Sequence, residues 1–202
     1  MGRAFEIYLW NGLDINYLDP LSSENFWRMN LRISAHKSKI NSDNNLHNKS
    51  ERHEYYRKTT DDSRNDHQYL TVSAQYLYRV YAKHSFRVYA GIGPYLSMNR
   101  SYSESILTDF HRDSTTSMDH SISYGIDLGG KLVGGISSSF NQRLYLFAEY
   151  QVFFAYNWNK SNYTNSQWFL NGSGKNEYKN GRHASGWSTG LSGIRVGIGF
   201  YF

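Results

Sequence analysis

Charged residues at every second position carry most of the chemistry open to this chain. Arg28, Arg32, Arg79, Arg87, Asp127, Lys131, Glu149 and Arg195 each share a parity opposite to the apolar residues of an alternating segment, and so share one face of the sheet those segments build. Charges on the inner face of a closed sheet must pair or meet water, because an enclosed, unpartnered charge is costly. The favoured expectation is a static network of ion pairs and hydrogen bonds centred on Arg79, Arg87, Asp127, Lys131 and Glu149, since side chains fill the interior of a small barrel. A gate is the alternative: Glu149, in the middle of its segment, would exchange partners between Lys131 and Arg87 and open a narrow ion path.

Catalysis finds less support. His183 and Ser185 would share a strand face, as a base and a nucleophile could. The acidic group that orients the base is missing, because Glu177 is the last acidic residue and Arg195 stands in the stretch where one would be needed. No enzymatic activity is expected. His47, His53, His67, His111 and His120 lack metal-ligand spacing, and the absence of cysteine removes thiolate ligands and nucleophiles, so no metal or cofactor is expected. Gly91, Gly93, Gly197 and Gly199 recur every second residue, outside the strand-turn-helix setting of a phosphate loop.

Strands must position these side chains. Period-two alternation runs through Leu144 to Trp158, Phe86 to Met98, Leu70 to Val80, Trp27 to Ala35 and Ile122 to Leu132, with a terminal strand and a weaker segment from Phe5 to Leu18. Connections alternate in length: short at 19–25, 82–85 and 134–142, longer at 41–67, 100–117 and 159–183. That rhythm predicts an all-β, up-and-down antiparallel barrel in one domain spanning 1–202, carrying three polar loops at one end. Two irregularities are foreseen. Pro94 lacks a ladder donor, so a bulge or a break in pairing is expected near it. Trp187 and Leu191 oppose Ile194, Val196 and Ile198 in parity, which requires a bulge near Ser192 and Gly193 or else puts those two side chains in the lumen.

Lipid is the solvent this pattern expects outside. Mean hydropathy is −0.67, and no run approaches the ~20 apolar residues of a spanning helix, but a transmembrane barrel needs apolar residues only at alternate positions. The chain holds 18 Tyr, 11 Phe and 5 Trp, and Trp27, Tyr78, Phe86, Tyr156 and Trp158 lie near strand ends, where interfacial girdles would stand. A soluble lipocalin-like ligand-binding barrel would reverse the faces; against it, the polar face is dominated by Gly, Ser, Tyr and Asn rather than by the Lys, Glu and Thr of a solvated surface. The net charge of +5 is scattered among acidic residues, so no nucleic-acid partner is expected.

The final residues sharpen the reading. Arg195, Gly197, Phe200 and Phe202 are spaced as polar, small, apolar and aromatic at the end of the chain, and this resembles the assembly signal that closes outer-membrane β-barrels of Gram-negative bacteria. With the strand rhythm, the chain is similar to small outer-membrane barrels of the OmpA-membrane-domain, OmpX and porin-family type. The resemblance implies an eight-stranded transmembrane barrel inserted by the β-barrel assembly machinery, with Phe202 at the periplasmic rim and no particular ligand. The His183 and Ser185 spacing resembles that of lipid A deacylases, without their acidic residue. Only seven strands are visible, whereas such barrels have an even number. The favoured explanation is that a signal peptide and a first strand precede Met1. Alternatively Asn11 and Gly12 form a tight turn that splits the Phe5 to Leu18 segment, although its halves would fall short of the ~9 to 11 residues of a spanning strand. The functional expectation is a monomeric, structural or adhesive barrel, contacting membrane lipid, lipopolysaccharide and an extracellular protein. A narrow porin-like channel is second and a soluble carrier third.

Overall fold

The computed structural model describes residues 3–8, 13–50, 53–110, 115–169 and 174–202, and every regular element is a strand. In chain order these are β1 (Ala4–Tyr8), β2 (Leu13–Pro20), β3 (Asn25–Ser50), β4 (His53–Lys83), β5 (Phe86–Phe110), β6 (Thr115–Ser139), β7 (Leu144–Phe169), β8 (Lys175–Leu191) and β9 (Arg195–Tyr201). Each pairs antiparallel with its neighbour in sequence up to β8, β7 also pairs with β9, and β9 pairs with β1. Because β8 and β9 lie end to end along β7, the nine strands make eight staves of a closed up-and-down barrel.

The expected eight-stranded barrel is present, and the expectation that only seven of its strands lie in this chain is corrected. Phe5 to Leu18 is two strands, with Ala4 opposite Leu18 and Ile7 opposite Ile15, and the ring closes without any further strand. Sequence reasoning required each stave to reach spanning length alone, but β1 and β2, of 5 and 8 residues, take their ladder bonds from the longer staves beside them. Asn11 and Gly12 lie outside the described residues, as do Glu51, Arg52 and His111.

The long polar connections are also corrected, for they are largely ladder. The β3–β4 pairing continues to Ser50 opposite His53, β5–β6 to Asp109 opposite Thr115, and β7–β8 to Trp168 opposite Lys175. Polar Thr, Ser, Asn and charged residues at alternating positions satisfy the strand geometry without an apolar face, so hydropathy alternation underestimates strand length.

Both foreseen irregularities are present. Beside Pro94 the ladder between β4 and β5 skips from Ser73 opposite Tyr95 to Tyr76 opposite Ile92, while a register shift lies between Arg79 and Tyr81. Between β8 and β9 one extra residue separates Leu191, opposite Val152, from Arg195, opposite Glu149. This bulge resets parity, and Trp187, Leu191, Ile194 and Val196 are all exposed on the outside of the barrel. Glycine is needed where inward rings cross the terminal strand: a Cβ at Gly197 would meet the Phe147 ring, and one at Gly199 the Tyr145 ring.

Replacing Gly199 with valine should therefore destabilise the barrel by about 1–3 kcal/mol through overpacking. Urea titration of the folded protein in detergent, followed by the heat-dependent shift in gel mobility, measures it. An unchanged midpoint would contradict the packing assigned to Tyr145.

Candidate functional site

The alternation sorts the side chains into two solvents. Phe5, Ile7, Met29, Leu31, Val72, Ile92, Leu128, Leu132 and Val196 point outward and are exposed, whereas Glu6, Asp14, Asn16, Arg28, Gln75 and Glu149 are buried within the barrel. A barrel in lipid is stable with its faces arranged in this way, and a soluble carrier has them reversed. Trp27, Tyr78, Phe86 and Trp158 stand on the outer surface, the first three near the short turns and Trp158 towards the long hairpins. Tyr156 is half-buried in an outer aromatic cluster with Trp158 and Trp187, and Trp187 also stacks on Phe154 at 4.7 Å.

Inside, one layer of polar side chains crosses the lumen. Arg28 is its hub: Nη1 donates to Glu149 Oε2 at 2.5 Å, Nε donates to Gln75 Oε1 at 2.7 Å, and Glu6 lies 3.6 Å away. Glu149 also accepts from the Tyr8 hydroxyl, from Gln151 Nε2 and, at 3.2 Å, from the Tyr89 hydroxyl. Glu6 accepts from Asn16 Nδ2 at 2.7 Å and from Tyr145 Oη at 2.9 Å. Asp14 pairs with Arg195, accepts from Asn30 at 2.6 Å and lies 3.9 Å from Arg32. Arg195 in turn lies 3.7 Å from the Tyr8 ring centroid and donates to Gln151 at 3.0 Å. Three carboxylates thus face three guanidiniums, and β1, β2, β3, β4, β5, β7 and β9 all contribute.

The expected network is only partly this one. Glu149 sits at its centre, but its ion-pair partner is Arg28, not Lys131 or Arg87. Lys131 is buried with its ammonium 5.6 Å from the Tyr95 ring centroid, and Asp127 accepts from Asn157 at 2.5 Å. Arg87 donates to the Tyr201 hydroxyl, and Arg79 lies 5.2 Å from the Phe26 ring centroid. In this arrangement Glu149 is therefore ion-paired with neither of the two cations between which a gate would exchange it. Glu6, Tyr8 and Asp14 were missed as members, although their parity opposite Phe5, Ile7 and Ile15 was a usable signal. Of the terminal motif, Phe200 faces outward, Phe202 stacks on Phe5 at 5.2 Å, and Arg195 belongs to the lumen layer.

Beyond the apolar band the hairpins carry local contacts. The Tyr163 hydroxyl donates to Asp119 at 2.5 Å, which pushes its pKa up, and Asn165 donates to the same oxygen at 2.6 Å. Glu177 is held below the usual carboxylate range, first by its hydrogen bond to Lys179 and then by Lys175, so these contacts persist through that range and weaken only as pH falls below it. His183 and Ser185 share the outer face of β8, where the Ser185 hydroxyl accepts from Tyr156 Oη at 3.2 Å.

Breaking the buried pair from one side should be severe. Arg28→Met leaves Glu149 and Glu6 without their shared cation and should cost about 3–5 kcal/mol, whereas Arg28→Met combined with Glu149→Gln should cost less than that single change. Chemical unfolding of the three proteins in one detergent checks this, and strict additivity would argue against a coupled layer.

No protein-family model matches this chain, and no curated protein sequence matches it. Among solved structures, it is similar to CarO of Acinetobacter baumannii, with a TM-score of 0.45 and 11% identity over 100% of this chain and 97% of that one. A major outer membrane protein of Thermus thermophilus gives a TM-score of 0.39 at 12% identity over 100% and 98% of the two chains. CarO2 of Acinetobacter baumannii gives 0.39 at 10% identity over 100% and 97%.

Proposed function

We propose that the chain is an integral outer-membrane β-barrel protein that acts as a rigid, non-enzymatic anchor and presents its long hairpins for surface interaction. The observation that carries the reading is the inverted pair of faces: apolar side chains outside, an ionic layer within. In water such an outer face would be an aggregation liability, and in lipid it is the stable arrangement. The short turns and the carboxy-terminus then lie on the periplasmic side, and β3 to β8 rise beyond the outer leaflet. The terminal residues Arg195, Gly197, Phe200 and Phe202 are the segment proposed for the assembly machinery.

The register supports lipopolysaccharide as a partner. Met98, Ile126 and Trp158 form one outward row of the sheet, and the next row outward is Arg100, Tyr124 and Lys160. Two cations thus flank a tyrosine directly above the apolar band, with the Arg100 guanidinium 5.9 Å from the Tyr124 ring centroid. Arginine and lysine so placed suit the phosphates of a lipid headgroup. The layer around Arg28 and Glu149 favours an anchor over a pore, because every carboxylate in it is held by at least one donor.

Three measurements follow from this reading. The protein should fractionate with outer membranes and need detergent for release; recovery in the soluble periplasm would refute the anchor. In planar bilayers the wild type should show no conductance steps, whereas stable steps would favour the narrow channel. Arg100→Gln and Lys160→Gln should each weaken lipopolysaccharide binding by about fivefold, near 1 kcal/mol per charge, and unchanged affinity in both would remove the headgroup site.

A further inference from the structure

Below the ionic layer, at the end of the barrel that carries the short turns, lies a cavity of about 40 Å³. Leu18, Phe26 and Leu77 supply apolar wall, while Arg79 and Arg87 bring two guanidiniums to the same small space. Arg87 and Tyr201 also line a wider surface groove of about 500 Å³ bordered by His84, Ser139 and Gln142, so cavity and groove meet at Arg87. The groove has no acidic residue in its lining. The cavity has one, Glu6, and its two oxygens already accept from Asn16 and Tyr145.

Arg28, 3.6 Å from Glu6, offsets that carboxylate, so Arg79 and Arg87 leave the recess net positive, and such a recess raises the local concentration of anions. Guanidinium presents a planar fork that matches a carboxylate, and Arg87 already extends one Nη to the Tyr201 hydroxyl at the mouth. The cavity exceeds the ~10–15 Å³ that one water requires and so has room for a short apolar group as well.

We propose that this end of the barrel binds a carboxylate bearing a short apolar group. The carboxylate lies between Arg87 and Arg79, and the apolar group of ~2–3 carbons packs against Phe26, Leu77 and Leu18. That chemistry has two sources, a free short-chain acid or the carboxy end of a peptide chain arriving through the groove. The site does not depend on which membrane holds the barrel, since it is complete within one chain.

The test uses the full chain folded in detergent micelles, titrated with propionate, with its neutral isostere propionamide and with acetyl-alanyl-alanine, and followed by calorimetry and ligand-observed NMR. Propionate should bind saturably and propionamide should not. Arg79→Gln and Arg87→Gln should each weaken propionate by at least about fivefold, and Arg87→Lys should weaken it less than Arg87→Gln. Folding of each variant is read from its heat-dependent gel mobility; if one fails to fold, the comparison of propionate with propionamide on the wild type decides alone. No saturation below about 100 mM, equal binding of propionamide, or unchanged affinity in both glutamine variants would overturn the site. Acetyl-alanyl-alanine binding about tenfold tighter than propionate would assign the ligand to a chain end, and equal or weaker binding to a free acid; both uphold the carboxylate site.

Discussion

The rest of the structure depends on a short seam, the five rungs by which β1 meets β9. A sheet with an apolar outer face cannot leave an edge in lipid, because unpaired N–H and C=O groups have no water to bond there. Five rungs from a strand of 5 residues are a weak closure by length alone. The ionic layer strengthens it, since Arg195 on one side of the seam pairs with Asp14 of the β1–β2 hairpin, and Tyr8 crosses to Glu149. The buried charges therefore stand where a short hairpin needs side chains to hold it between two long neighbours.

The same constraint explains why the interior is polar. In the proposed membrane setting outward positions face hydrocarbon and can make no hydrogen bonds, so inward positions must hold the staves together across the lumen. Burying three carboxylates with three guanidiniums adds modest net stability, but it makes the register specific: a one-residue slip of β1, β2, β3 or β7 would turn that strand's own Glu6, Asp14, Arg28 or Glu149 to the apolar outer face. Beyond the band the hairpins escape this demand. There both faces meet water, and the side chains of β3, β4 and β8 become polar on both parities.

Much of this was legible in the sequence, and the failures share a cause. The alternation of Leu144 to Trp158 marked β7 and its two faces directly, because one face is apolar and outward and the other faces the lumen over that length. It lost force above Trp158, where ladder continues to Phe169 without an apolar face to announce it. The Phe5 to Leu18 segment was misjudged because the length rule treats each strand as self-sufficient, whereas pairing with β3 and β9 sustains β1 and β2. Parity put Arg28, Lys131, Glu149 and Arg195 inward but could not choose partners among them. Partnership depends on the stagger between staves, which places Glu149 beside Arg28, 121 residues away, rather than beside Lys131 on the neighbouring strand. The displaced Trp187 needed one extra residue at the bulge, and parity signalled that conflict in advance.

Stagger also argues against a gate built on Glu149. To reach Lys131 or Arg87, its carboxylate would have to leave Arg28, Tyr8, Tyr89 and Gln151 together. Arg28 would keep Glu6 at 3.6 Å as its remaining carboxylate partner, a longer contact than the one it lost. Arg28 would be left with the longer of its two ion pairs, so the displaced arrangement is the less stable of the two. A ligand or field that opened the lumen would have to supply that difference by binding the displaced arrangement better. The cations outside the layer are placed differently: Arg79 and Arg87 lie below it at the turn end, where both line the cavity and Arg87 also lines the groove. The layer thus separates a densely cross-linked centre from two cations at the turn end that are not among its ion pairs.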